Sequence, residues 1–402
     1  MLLDNHHLTY CLNIHSGETF ADVVKAVRTY PPKIRDLLDC SQPFGLGLRI
    51  GQQALAEAEA TAGWDELRSV MAAESLYVFT LNGFPYGHFH DAPVKTSVYE
   101  PDWRSPQRRD YTIRLARFLA HLLPEGVGGS ISTVPVAYRA AIGSDAELAG
   151  VVRNLADCAV ELADLHSRTG REIQLGLEPE PDCWIDTTLD ALQFFQDFLI
   201  PLGVARVRER TGQGLAAAEK VIRQYLGYCV DTCHFAVQFE SPSEAIRRLV
   251  KAGIGIPKVQ LSAALRMEPG ADLPARLAGF SDEVYLHQVR EGRDGVVLQS
   301  YSDLPEALRA AARHPPGGEW RIHFHVPLHW AGDEPKLGTT RDALDADFWR
   351  ELKQASIPHW EIETYTYSVL PAAMRALPLA ESIAEEYRFC LMALQNAAPM
   401  KK

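Results

Sequence analysis

No stretch of the chain approaches the ~20 consecutive apolar residues that a membrane span requires. The opening residues, Met1 to Glu18, lack a basic segment followed by an apolar stretch and a small-residue cleavage site. A cytoplasmic location is therefore expected. Cysteine is sparse: there are seven, an odd number, scattered from Cys11 to Cys390 with no CxxC pair, which argues against a disulfide framework or a zinc ribbon. Positive charge is also in deficit. Forty Lys and Arg face 52 Asp and Glu, for a net charge of −12, and no basic patch offsets the cost of approaching a polyanion. A nucleic-acid partner is accordingly not expected. Low-complexity tracts, flexible linkers and repeats of fixed spacing are missing too. What remains is a chain of 402 residues, 47% apolar and 23% charged, enough for a large core. At roughly 150 residues per domain that length suits two or three domains, or one α/β barrel carrying an insertion.

The pattern that is present favours the barrel. Short apolar or β-branched runs alternate with longer stretches at helical spacing, as in β/α units around a parallel sheet. The runs are 8–15, 44–50, 76–81, 129–134, 173–178, 226–231, 257–261, 320–326 and 359–364. Between them, Val151, Leu155, Cys158, Leu162 and Leu165 step by four and three and line one helix face. Nine runs exceed the eight strands of a (β/α)8 TIM barrel, so at least one lies outside the ring. The reading is a single domain over 1–402 with a candidate insertion at 264–356, between the last two barrel strands. Within it, 283–289 and 295–301 flank Arg293-Asp294-Gly295, a hairpin signal. Whether 320–326 belongs to the ring stays open.

Several runs are continuously apolar and then end on a polar residue: His15, Asn82, Glu178, Asp231, Gln260 and Glu363. Burial on both faces explains the apolar part. An unpaired carboxylate inside a packed sheet is costly, whereas at the C-terminal rim of a barrel it faces a ligand. The strongest signal is Asp231-Thr232-Cys233-His234, which places a carboxylate on a metal and an imidazole toward a substrate or second ion. A helix cap at Asp231 and a packed His234 is the plain alternative. In Glu178-Pro179-Glu180-Pro181 the prolines end ladder pairing, so Glu178 is the better ligand and Glu180 falls in the loop. At the last run, period two puts Glu361 and Glu363 on one face, with Glu363 nearer the rim.

Carboxylates ending three strands, with Asp-x-x-His on the middle one, resemble the xylose isomerase-like TIM barrels. That resemblance implies one divalent ion held by Glu178, Asp231, a third ligand and Glu363, with Glu178 and Glu363 as acid and base and with His234 and Arg266 holding substrate oxygens. Arg266 stands six residues after Gln260, so Gln occupies the position of the family's third ligand, a His. The second family Glu falls at Trp184. His287 and His325 are candidates to supply the missing imidazole. More closely, the chain is similar to the EboE metabolite traffic family, through Tyr10-Cys11-Leu12-Asn13-Ile14-His15, Asn82-Gly83-Phe84-Pro85-Tyr86-Gly87, Tyr285-Leu286-His287-Gln288 and His323-Phe324-His325-Val326-Pro327.

Two functions follow from these readings. One is a divalent-metal-dependent isomerase or epimerase acting on a sugar-like or hydroxy-ketone metabolite. The other is a non-catalytic metabolite-binding or traffic protein that keeps the barrel site and serves partner proteins of its pathway. Oxygen ligation by Glu178, Asp231, Gln260 and Glu363 favours Mn²⁺ or Mg²⁺, whereas recruitment of His287 or His325 favours Zn²⁺ or Fe²⁺.

Overall fold

The computed structural model describes residues 1–397 except 91–93, 269, 271–272, 281–282 and 334–336. Eight parallel strands build the central sheet: β1 (His6–Tyr10), β2 (Phe44–Arg49), β3 (Leu76–Asn82), β4 (Gly129–Thr133), β5 (Ile173–Leu177), β6 (Leu226–Asp231), β7 (Lys258–Leu261) and β8 (His359–Ile362). Each pairs with its successor from β2 to β8, and β8 pairs with β1. A parallel bridge between Cys11 and Gly47 joins the end of β1 to β2 and closes the ring. The chain is a (β/α)8 barrel, with a two-residue antiparallel strand, Leu2–Leu3, added beside β1.

The helices form where apolar spacing and caps coincide. Asp145–Thr169 starts at Ser144, whose side chain accepts from the Glu147 N–H, and stops at Gly170 in the left-handed region. Its buried face, with Leu148, Val151, Leu155, Leu162 and Leu165 among others, packs on the barrel core.

Between β7 and β8 the chain builds a second, antiparallel sheet. Its strand order is Val296–Tyr301, Val289–Arg293, Glu319–Ile322, Leu265–Met267, Leu337–Thr339, Gly332–Asp333. The expected hairpin is present, with Asp294 at φ 53° and Gly295 at φ 79° in its turn. Its first strand begins at Val289 and not at 283, because Tyr285 packs against Phe89 and Tyr365 over the barrel mouth. The run 320–326 lies outside the ring: Glu319–Ile322 pairs with Val289–Arg293 and Leu265–Met267, not with a barrel strand. The first run also ends early. β1 stops at Tyr10, and a tight helical turn over Leu12–Ile14 follows.

Inside the barrel, below the site, Lys258 and Glu361 form an ion pair with both side chains fully buried. Burial disfavours the ammonium, but Glu361 prevails and pushes the Lys258 pKa upward. The pair needs space from β2. A Cβ on Gly47 would lie 1.8 Å from Glu361 Oε1, so no side chain fits there.

Behind β8, the helix Leu379–Asn396 buries Glu386, whose Oε2 accepts from the Leu328 N–H at 3.0 Å and the Thr364 hydroxyl at 2.7 Å. Desolvation raises its pKa to about 7 from an ordinary 4.5. The folded state then holds one proton more than the unfolded chain between those values, so stability falls as pH rises through the window. From pH 5 to 8 the loss attributable to this group is on the order of 3 kcal/mol. We expect Glu386→Gln to flatten that part of a urea-unfolding pH series, and an unchanged slope would exclude Glu386 as its source.

Candidate metal centre

The polar strand ends meet at the C-terminal mouth of the barrel. Glu178 follows β5, Asp231 ends β6 and Glu363 follows β8; one carboxylate oxygen of each lies within 4.8 Å of the others, and all three are buried. Burial pushes Glu178 well above the ordinary carboxylate range, with Glu363 and Asp231 adding to the shift. Glu363 moves the same way, by burial and then by Asp231 and Glu361. Asp231 is the exception. Burial acts against its charge, yet His234, His325 and hydrogen bonds from Ser262 and the His234 N–H outweigh it and lower the pKa.

Hydrogen bonding divides the three. Glu363 is held fast: Oε1 accepts from Asn13 Nδ2 at 2.7 Å and Asn82 Nδ2 at 2.9 Å, and Oε2 accepts from Gln260 Nε2. Asp231 Oδ1 accepts from the Cys233 and His234 N–H groups and from the Ser262 hydroxyl at 2.7 Å. Asp231 is thus the helix cap of the plain reading and a site carboxylate at once, because its other oxygen, Oδ2, has no hydrogen-bond partner. Glu178 Oε2 has none either. Buried carboxyl oxygens without donors are costly, and two of them on residues of one cluster suit a bound cation.

The other sequence-derived candidates fall in different places. Gln260 is adjacent, but its Nε2 binds Glu363 and its Oε1 accepts from the Cys229 thiol at 2.9 Å, so both ends of the amide are engaged. Arg266 lies in the second sheet and pairs with the exposed Asp342 at 2.8 Å, away from the cavity lining. The antiparallel turn of the chain after β7 carries it there. Trp184 packs against Phe194 and Phe198 and lies under Arg139. His287 stacks on Phe324, and its Nδ1 bonds the His323 carbonyl at 2.9 Å, so it supports the backbone of His323.

His234 and His325 stand beside Asp231, and together the three offer ligand atoms within 4.8 Å of one another. Burial lowers the His234 pKa to about 4. Two further residues complete this side of the mouth. His323 and Glu180 group with His234 in the same way. Glu180, assigned from sequence to a loop, is indeed past the end of β5, but the loop folds inward and buries it. The signal for His323 was its period-two spacing from His325, which places both imidazoles on one side of the strand-like segment.

Above the cluster is a cavity of about 40 Å³ lined by Asn82, Glu178, Glu180, His234, His323 and Glu363, among others. Phe89, Tyr285 and Tyr365 cover it, with ring centroids 5.2–5.4 Å apart.

No family model matches the chain, and no curated protein does. Among solved structures, it is similar to the IolI protein with a binding zinc atom, at 12% identity over 98% of this chain and 100% of that one, with a TM-score of 0.49. It is similar to a D-tagatose 3-epimerase-like protein at 10% identity over 98% and 100%, TM-score 0.49. A xylose isomerase domain protein from Alicyclobacillus acidocaldarius subsp. acidocaldarius aligns at 16% identity over 97% and 99%, TM-score 0.44. Membership of the EboE family is not confirmed by any of these. The strand order defines the barrel, and likenesses of this extent assign no reaction.

Proposed function

We propose that the protein is a divalent-metal-dependent isomerase acting on a sugar-like or hydroxy-ketone metabolite. The observation that carries this reading is the convergence of Glu178, Asp231 and Glu363, with two orphaned carboxylate oxygens, at the mouth of a barrel. Those three would hold the ion, which supplies polarisation of a carbonyl and its neighbouring hydroxyl when bound. The oxygen set suits Mn²⁺ or Mg²⁺, and the imidazoles of His234 and His325 bring Zn²⁺ or Fe²⁺ within reach.

The residues divide the remaining work. Glu363 is locked by Asn13, Asn82 and Gln260 and serves to orient. Glu178 lines the cavity; with the carboxylate oxygen that does not hold the ion it takes a proton from the carbon beside the carbonyl and returns it to the carbonyl carbon, while the proton of the neighbouring hydroxyl passes to the former carbonyl oxygen. Glu178 and Glu363 each bring one oxygen into the cluster, within 4.8 Å of the other. With both Glu363 oxygens engaged by Asn13, Asn82 and Gln260, a one-base proton shift fits better than a two-base epimerisation. His234 lines the cavity and is placed to hold a substrate oxygen.

The second reading, a metabolite-binding or traffic protein, is supported by the full occupation of Glu363 and by the small free volume, which requires the aromatic cover to shift before a sugar-sized guest enters. The strings similar to EboE proteins support it as well. Solvent deuterium incorporation separates the two. Incubation of metal-loaded protein in D₂O with a panel of ketoses, hydroxy-ketones and polyols is expected to label one class at the carbon beside the carbonyl, and Glu178→Gln is expected to abolish labelling. Binding of a panel member without exchange would sink the isomerase reading and leave the carrier.

A further inference from the structure

We propose that the cavity takes an uncharged amphiphile, a hydroxy-ketone head carrying an apolar tail, with the head against the carboxylates and the tail against the aromatic cover. The choice of head rests on the isomerase reading; the tail and the lack of charge stand on the cavity wall itself. That wall has two faces. Glu178, Glu180 and Glu363 line it on the side of the barrel strands, together with His234 and His323. Phe89, Val94, Val98 and Tyr285 line it as well, and Phe89, Val94 and Tyr285 pack into an apolar cluster of their own, apart from the main core, with Val98 and Tyr365 against it. An apolar cluster that serves no core and borders a cavity is a surface for a guest.

Two tyrosines mark the boundary between the faces. The Tyr365 hydroxyl is 3.4 Å from His323 Nε2, while its ring meets those of Phe89 and Tyr285 at 5.4 and 5.2 Å. Tyr99 donates to Glu180 Oε2 at 3.4 Å and sets its ring edge-on to Phe84 at 5.9 Å. Each turns its hydroxyl toward the carboxylates and its ring toward apolar neighbours. The backbone at the cover is engaged with itself, because the Val284 carbonyl accepts from the Val94 and Lys95 N–H groups at 2.9 and 3.2 Å. A sugar hydroxylated all round would press hydroxyls against rings that cannot bond them, and each such hydroxyl loses its water without compensation. A guest with its oxygens at one end loses none.

The charge on the wall decides against an anionic guest such as a sugar phosphate. Among the described lining residues Lys95 is the one lysine or arginine, and its ammonium already donates to Asp303 Oδ2 at 2.9 Å and to the Tyr285 carbonyl at 2.7 Å. Arg266, which the resemblance sets over the substrate, pairs with Asp342 instead. An ion held by Glu178, Asp231 and Glu363 would have its charge answered by them, with Glu180 alongside. A phosphate or carboxylate on the tail would thus lie among rings and acidic groups with no cation to meet it, which is costly in a site shut off from water.

Three probes with one head and different tails provide the test: hydroxymethyl ethyl ketone, hydroxymethyl phenethyl ketone and δ-hydroxylevulinate, whose tails end in a methyl group, a phenyl ring and a carboxylate. Their affinities are read by ligand-observed NMR titration of the protein in Mg²⁺. The phenethyl ketone is expected to bind roughly 10- to 100-fold more tightly than the ethyl ketone, as burial of one aromatic ring would give, and δ-hydroxylevulinate no more tightly than the ethyl ketone. Phe89→Ala, checked for folding by circular dichroism, is expected to cut the advantage of the phenyl ring by roughly 2- to 10-fold. Val98→Lys, which puts a cation on the apolar face, is expected to favour δ-hydroxylevulinate over the ethyl ketone. Equal affinity of the ethyl and phenethyl ketones for wild type would overturn the proposal, as would tightest binding of δ-hydroxylevulinate, or an undiminished phenyl advantage in folded Phe89→Ala. Solvent deuterium exchange into the same probes keeps the two readings apart. A phenyl advantage without exchange supports the amphiphile and removes the isomerase, whereas exchange without a phenyl advantage removes the amphiphile and leaves the isomerase.

Discussion

Asp231→Asn is expected to weaken divalent-metal binding at the carboxylate centre by more than the roughly 10–100-fold that altering an outer-shell partner costs, and to abolish solvent exchange into substrate, while leaving the fold intact. The reason is geometric. Asp231 Oδ1 accepts from two backbone N–H groups and Ser262, so the Asn oxygen must take that position. The amide NH₂ is then forced to where Oδ2 stood, and a donor faces the ion in place of a carboxylate oxygen. Asn caps a helix about as well as Asp, so unfolding in urea should move by no more than about 1 kcal/mol. Isothermal titration with Mn²⁺ and with Zn²⁺ measures the binding loss. Equal affinity in wild type and variant would remove Asp231 from the ligand set and with it the proposed centre.

Lys258→Met is expected to destabilise the barrel by about 3–5 kcal/mol, the usual penalty for leaving one member of a buried ion pair uncompensated. Glu361 would be left buried without the Lys258 ammonium, with Oε1 already lacking a partner and Gly47 offering only a hydrogen at that spot. The double variant Lys258→Met with Glu361→Met should recover most of the loss, because two well-packed apolar groups remove both desolvation penalties. Urea unfolding of wild type, both single variants and the double variant forms a closed cycle. If the single variant loses less than about 1 kcal/mol, the pair is not what holds this layer of the interior. The same cycle bears on function, since Glu361 and Glu363 share the inward face at the end of β8 and the first helps to raise the pKa of the second.

The legible part of this protein is the part encoded by short-range periodicity. Apolar runs of five to eight residues interrupted by helical spacing are enough to define parallel strands buried on both faces, and the structure has a strand at each of the nine runs, eight of them in the ring. The polar residue at the end of such a run is conspicuous because it breaks the pattern, which is how Glu178, Asp231 and Glu363 stood out. Gln260 stood out for the same reason, but spacing could not reveal that Cys229, one strand over, would engage its oxygen. Arg266 was carried over by its offset from Gln260. That offset keeps its meaning only if the chain continues as a loop over the mouth, and here it turns into an antiparallel strand that sends the guanidinium toward Asp342.

Taken alone, the sequence decided the barrel and the three acidic strand ends, since alternation and run length act within a few residues and fix which side chains point inward. Tertiary structure decided which imidazoles join them. His234 meets His323 and His325 across 89 and 91 residues, and that meeting depends on how a second sheet docks through long-range contacts that no local spacing encodes.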